Sequence, residues 1–194
     1  MIGRIKGTLI AKAATEVMVD VAGLGYEIDI PLTTFYGLPE LDSLVLLHTH
    51  LVVRADAQLL FGFGTLEERE FFRTLIKVNG VGPKLAITIL SSVDAATFAN
   101  AIRGKDVKAL VAIPRLGKKT AERLIVEMQD RLPALEAGSS QKPLIKPVDH
   151  LADAETALIN LGFKPQEASR ALAGIEDVSD SVENLIKQAL KNLS

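Results

Sequence analysis

Over the first 64 residues apolar positions recur with a period of two, the signature of half-buried strands. Val17, Val19 and Val21 alternate with Met18 and Asp20, and Tyr26, Ile28 and Ile30 alternate with Glu27 and Asp29. The turn Ala22-Gly23-Leu24-Gly25 separates these two runs. Met1 to Lys12 is a further Ile- and Leu-rich strand with Gly3 and Gly7 inside it, where glycine marks bends or bulges. Leu44 to Val53 and Gln58 to Phe63 flank the polar tip Arg54-Ala55-Asp56-Ala57, and Thr33 to Leu38 forms one short helical turn. Five strands in residues 1–64 predict a small barrel of the five-stranded OB type.

From Thr65 the period becomes 3.6. Thr65 is a capping residue, Glu67 and Glu68 stand in the first turn beside the helix's positive end, and Phe72, Leu75 and Ile76 continue the apolar face. Further helices are predicted over 83–91, 94–103, 106–113 and 118–132, making 65–133 an all-α domain. Residues 134–149, with a Gly-Ser-Ser step and two of the three prolines that fall in 133–149, read as a flexible linker. Residues 150–194 read as a small three-helix, UBA-like bundle. Ala154, Ala157, Leu158 and Leu161 share one face, Gly162 and Gly174 stop helices, and Pro165 starts one.

Residues 75–90 align without gaps on 110–125, offset by 35. Leu75 falls on Leu110, Gly80 on Arg115, Gly82 on Gly117 and Lys84 on Lys119. Each copy is a helix end, a hairpin and a Lys-bearing helix, a tandem helix-hairpin-helix. Small hairpin residues let main-chain N–H groups approach a phosphodiester, and the following helix adds its positive end. Lysines add attraction and counterion release, and none of these groups reads a base edge. Candidate DNA contacts are therefore Asn79, Gly80, Val81, Gly82 and Lys84 in the first copy. In the second they are Arg115, Leu116, Gly117, Lys118, Lys119, Thr120 and Arg123. Arg115 departs from the pattern, and a positive φ there costs on the order of 1 kcal/mol.

Charge changes this picture only through its distribution. The chain has 22 Lys+Arg against 24 Asp+Glu, but residues 65–133 carry 12 against 8 while the flanking segments are each acidic. A basic middle implies an anionic partner held there. The chain has no cysteine, no signal-like start and no long apolar run, which fits a soluble cytoplasmic protein without a membrane partner. A Walker A loop would need glycine at 112 and Ser or Thr at 119, where Ala112 and Lys119 stand. His48 and His50 share a strand face with no third ligand cluster evident, so packing is the expected role and no metal or cofactor is implied. Phe71 and Phe72 are expected to pack a helix rather than stack bases. No catalytic constellation stands out, though a helix-hairpin-helix glycosylase or nuclease and a single-strand-binding barrel remain as alternatives.

The order of barrel, tandem hairpins, linker and small bundle resembles the RuvA family of DNA-binding subunits of bacterial Holliday-junction branch-migration complexes. The motifs are M-I-G-R-I-K-G at the start, T-H-L-V-V-R-A-D-A-Q-L-L-F-G-F at 49–63 and N-G-V-G-P-K-L-A at 79–86. They continue with G-K-K-T-A-E-R-L-I-V-E-M at 117–128 and L-G-F-K-P-Q-E-A-S-R at 161–170. The resemblance implies a non-catalytic subunit that holds a four-way junction open and square-planar, as a homotetramer or a doubled octamer. It implies an acidic pin at the tip of residues 54–57, where Ala55 replaces one family acid and Asp56 remains beside Arg54. It further implies recruitment of the hexameric ATPase RuvB through the C-terminal bundle, with Leu158, Leu161 and Phe163 as contact candidates, and the resolvase RuvC as a further partner.

Overall fold

The computed structural model describes residues 1–129, 131–132, 150–175 and 181–192; the expected linker at 134–149 lies outside the described residues. The chain divides into two compact units, Met1–Gln141 and Lys142–Ser194.

The first unit begins with five strands: β1 (Arg4–Ala13), β2 (Glu16–Val21), β3 (Leu24–Asp29), β4 (Leu44–Val53) and β5 (Gln58–Phe63). They close into a barrel in the order β1-β2-β3-β5-β4, with β1 antiparallel to both β2 and β4 and β3 parallel to β5. This is the expected OB-type barrel. The period of two explains its core, because Ile5, Leu9, Val17, Val19, Ile28, Val45, Leu47 and Leu60 all point inward. Gly62 also points inward, where a Cβ would lie 2.6 Å from Ile28 Cγ2, so glycine lets β5 approach the opposite wall. A short helix α1 (Leu32–Gly37) follows β3.

β5 does not alternate, because both of its faces are buried. Leu60 belongs to the barrel core, whereas Phe61 and Phe63 point into the core of the helices that follow. These are α2 (Leu66–Leu75), α3 (Pro83–Ser92), α4 (Ala95–Arg103), α5 (Val107–Val111) and α6 (Lys118–Gln129). Phe72 of α2 stacks on Phe61 and Phe63 at 5.1 and 4.9 Å between centroids, and Phe71 packs on Phe98 at 5.1 Å. Both phenylalanines are thus helix packing, as expected. Thr65 is the cap expected, accepting from the Glu68 N–H, and the structure adds Asp94, which accepts from Thr97, and Asp106, which accepts from Ala109. The helix expected over 106–113 ends at Val111. Ala112 caps it with a last helical bond to Lys108, and Ile113 donates to Leu110, tightening the chain into the second hairpin.

The second unit holds α7 (His150–Asn160), α8 (Pro165–Ala173) and α9 (Val182–Asn192). Ala154, Leu158, Ala168, Leu172, Leu185 and Ala189 form its core. Leu161, expected on the same apolar face as Ala154 and Leu158, is instead 62% exposed. It stands one residue beyond the end of α7, where Gly162 at φ +102° turns the chain. Among the described residues, no single helix is long and apolar enough to cross a membrane.

Candidate nucleic-acid interface

The two hairpins share three equivalent bonds. In the first, Val78, Val81 and Ala86 donate their N–H groups to Leu75, Val78 and Gly82. In the second, Ile113, Leu116 and Ala121 donate to Leu110, Ile113 and Gly117, each 35 residues further on. Each hairpin is a four-residue turn whose third position has positive φ, +90° at Gly80 and +65° at Arg115. A type II turn demands this, and Pro114 at the second position of the second copy satisfies the same turn. Arg115 therefore occupies the strained backbone expected of it.

The side chains divide by burial. Val81 and Leu116 are buried at 4% and 3%, anchoring the hairpins in the helical core, so only their main chain can face a ligand. Asn79, Gly80, Gly82, Lys84, Arg115, Gly117, Lys118, Lys119 and Arg123 are exposed, and Thr120 is half-buried. The N–H groups of Gly80, Gly82 and Gly117 have no hydrogen-bond partner among the described residues. Arg123 of α6 donates to the Asn79 carbonyl at 3.3 Å, which brings the second motif's helix against the first hairpin. Local sequence patterns carry no sign of that bond, because it links residues 44 apart.

Helix polarity sets α3 and α6 apart from their neighbours. α2, α4 and α5 begin with Thr or Asp caps, and α2 carries Glu67 and Glu68 in its first turn. α3 begins at Gly82-Pro83 with no side-chain cap, α6 follows Gly117, and neither has an acid in its first turn. Lys84, Lys118 and Lys119 stand there instead. A cation at a helix's positive end is unfavourable by roughly 0.3–1 kcal/mol. The arrangement becomes favourable when an anion sits between the lysines and the free N–H groups. Lys118 has one weak internal partner, Glu122 at 4.0 Å, on an exposed surface where such pairs contribute little.

A cleft of ≈ 500 Å³ runs between barrel and helices, lined by Asp29, Lys84, Ser91, Pro114 and Arg115 among others. It joins a lysine of the first motif to the turn of the second. Burial raises the Asp29 carboxyl above its ordinary pKa, and the charge of Lys84 opposes that shift. Elsewhere, burial and neighbouring arginines pull both His48 and His50 below the usual imidazole value. His50 Nδ1 accepts from Arg73 Nε at 3.3 Å, and its ring meets Phe72 edge-on. No group of three metal-ligating side chains occurs among the described residues.

The remaining candidates lie away from the hairpins. Arg54, Ala55 and Asp56 are exposed at the tip between β4 and β5, closed by an Arg54 N–H to Ala57 carbonyl bond of 2.8 Å. In the second unit Leu158 is fully buried, so as a surface contact it is corrected: its side chain is bundle core. Phe163 is half-buried against that core, and Leu161 presents its side chain outward with Ile159.

Residues 1–62 match the family model "RuvA N terminal domain", 72–130 a "SAM-like Helix-hairpin-helix tandem" and 149–194 "RuvA, C-terminal domain". Proteins named Holliday junction branch migration complex subunit RuvA align over the full length of both chains. Identity is 49% for one from Pseudomonas fluorescens, 50% for Shewanella sediminis and 48% for Pseudomonas aeruginosa. The chain belongs to the RuvA family. Within RuvA-type architecture, the strained arginine of the second hairpin yields a direct expectation. Arg115→Gly should raise stability by about 1 kcal/mol, since glycine adopts positive φ without the Cβ clash. A urea midpoint that falls instead would show that the arginine side chain makes up for its backbone.

Proposed function

We propose that this chain is the non-catalytic junction clamp of a branch-migration complex, gripping four-way DNA independently of sequence. The observation that carries this reading is the pair of equivalent hairpins, each with free N–H groups and lysines at an uncapped helix start. Two such sites on one rigid unit suit the phosphates of a duplex arm. The name shared by the relatives supplies the junction and the complex. Four copies around a fourfold axis would bring four Asp56 tips to the crossover, where their charge repels phosphates and holds the strands apart. ATP hydrolysis then belongs to RuvB, recruited through the C-terminal bundle, with Leu161 as the exposed apolar contact. An octamer and RuvC would assemble on the same core in the cytoplasm. The branch-migration reading is preferred to a helix-hairpin-helix glycosylase or nuclease because the full-length relatives carry the name of a branch-migration complex subunit.

Three outcomes test the proposal. Replacing Lys84, Lys118 and Lys119 with Ala should weaken junction binding alike for all sequences. The same substitutions should flatten log K against log salt by about 0.9 for each phosphate no longer neutralised. An unchanged slope would remove the hairpins from the interface. In the same titration Asp56→Asn should lower the ratio of junction to duplex affinity at low salt, and an unaltered ratio would make Asp56 a plain turn residue. Leu161→Asp changes an exposed position, so stability should stay within about 0.5 kcal/mol of the parent. Junction binding should persist while stimulation of the RuvB ATPase is abolished; retained stimulation would move the contact elsewhere.

A further inference from the structure

Glu68 stands three residues past the Thr65 cap, where an acid ordinarily reaches back to its own helix start. Only half of that reciprocal pair is formed. Thr65 Oγ1 accepts from the Glu68 N–H at 3.1 Å, but the Glu68 carboxylate turns toward the barrel. There it accepts from Thr33 Oγ1 at 2.6 Å, Thr34 Oγ1 at 2.7 Å and the Gly64 N–H at 3.0 Å. Thr34 is 3% exposed, and its hydroxyl also accepts from the Gly64 N–H. One carboxylate thus ties α1 of the barrel to the two-residue joint, Gly64-Thr65, between β5 and α2.

That joint lies between the tip and the first hairpin. β5 runs back from it toward Asp56, and α2 runs forward toward Asn79. The ten residues of α2 span about 15 Å, so a tilt of about 10° at the joint displaces its far end by about 2.6 Å. A displacement of that size is comparable with an entire hydrogen-bond length. The aromatic cluster of Phe61, Phe63 and Phe72 resists separation, but apolar burial has little directional preference. Directional bonds add to what this packing fixes of the angle. Leu32 N–H to Ser91 Oγ at 3.0 Å and Arg69 Nη1 to the Gly3 carbonyl at 3.0 Å act elsewhere on the seam. Glu68 acts at the pivot itself.

We infer that Glu68 is a positioning residue for junction binding, its carboxylate fixing the angle between the barrel that carries Asp56 and the helices that carry both hairpins. The inference rests on the junction-clamp reading above. A duplex arm engages the hairpins alone and is indifferent to that angle, whereas a junction must meet hairpins and tip together.

The experiment titrates the full-length parent, Glu68→Ala, Glu68→Gln and Thr34→Val with a four-way junction and with a duplex of one arm's sequence. Each protein is measured at a temperature where circular dichroism shows it folded. Alanine keeps the Thr65 cap, which uses the main-chain N–H, and removes only the carboxylate bonds. Glu68→Ala should lose about tenfold in junction affinity and less than about twofold on duplex, a loss of the size expected when a small hydrogen-bond network is removed. Glu68→Gln still accepts through its amide oxygen and donates to a threonine hydroxyl, so its junction-to-duplex ratio should stay near the parent's. Thr34→Val should follow the alanine variant, and it decides the matter if Glu68→Ala does not fold. Equal losses on both DNAs, or an unchanged ratio, overturn the positioning role. A parent that itself shows no junction preference overturns the junction-clamp reading and the inference with it.

Discussion

The stacking of Phe72 on Phe61 and Phe63 joins a β-barrel to a helical layer, and His50 of β4 meets the same ring edge-on. β5 contributes Leu60 to the barrel core on one side and two phenylalanines to the helical core on the other. A strand with both faces buried has no solvent side, which explains the unbroken apolar run Leu59 to Phe63. The tip bearing Asp56 precedes β5 directly, and the first hairpin follows the helix that β5 supports. Hydrophobic burial supplies the adhesion, and a small number of hydrogen bonds around Gly64 supply the geometry.

The hairpins show how a backbone can make an electrostatic site from few charges. Their lysines are placed where the helix dipole disfavours them, and the glycines just past each turn, Gly82 and Gly117, have N–H groups without partners among the described residues. Each feature alone is a minor local cost. Both occur in both copies and become favourable with a bound anion, so the local conflict reads as a functional one. Arg115 adds a third, a side chain held at positive φ in the second hairpin. Asp29 and Lys84 share the neighbouring cleft, where charge of both signs lies close to the candidate DNA contacts.

Much of this was legible in the sequence, for reasons tied to local interactions. The period of two in Val17–Val21 and Tyr26–Ile30 placed the strands, and the 35-residue repeat placed both hairpins. Even the positive φ of Arg115 followed from its alignment with Gly80. What escaped notice was long-range. The Arg123–Asn79 bond, the turning of Glu68 toward Thr33 and Thr34, and the burial of Asp29 all depend on residues far apart in sequence. Leu158 and Leu161 looked equivalent by helical spacing, yet one is core and the other is exposed. The helix end between them, which sequence patterns locate least well, made the difference.

The two-faced strand also bears on how this unit folds and how it can be divided. The helices make contacts local in sequence, whereas barrel closure pairs β1 with β4 some forty residues away, which is the slower event by loop-closure entropy. Because Phe61 and Phe63 belong to the helical core, that core is incomplete until β5 is in place. Separating the chain between Gly64 and Thr65 would take Phe61 and Phe63 away from Phe72 on one piece and leave the outer face of β5 bare on the other. Barrel and hairpins, which look like exchangeable modules along the chain, belong to one compact unit, and recombination between relatives should respect that seam.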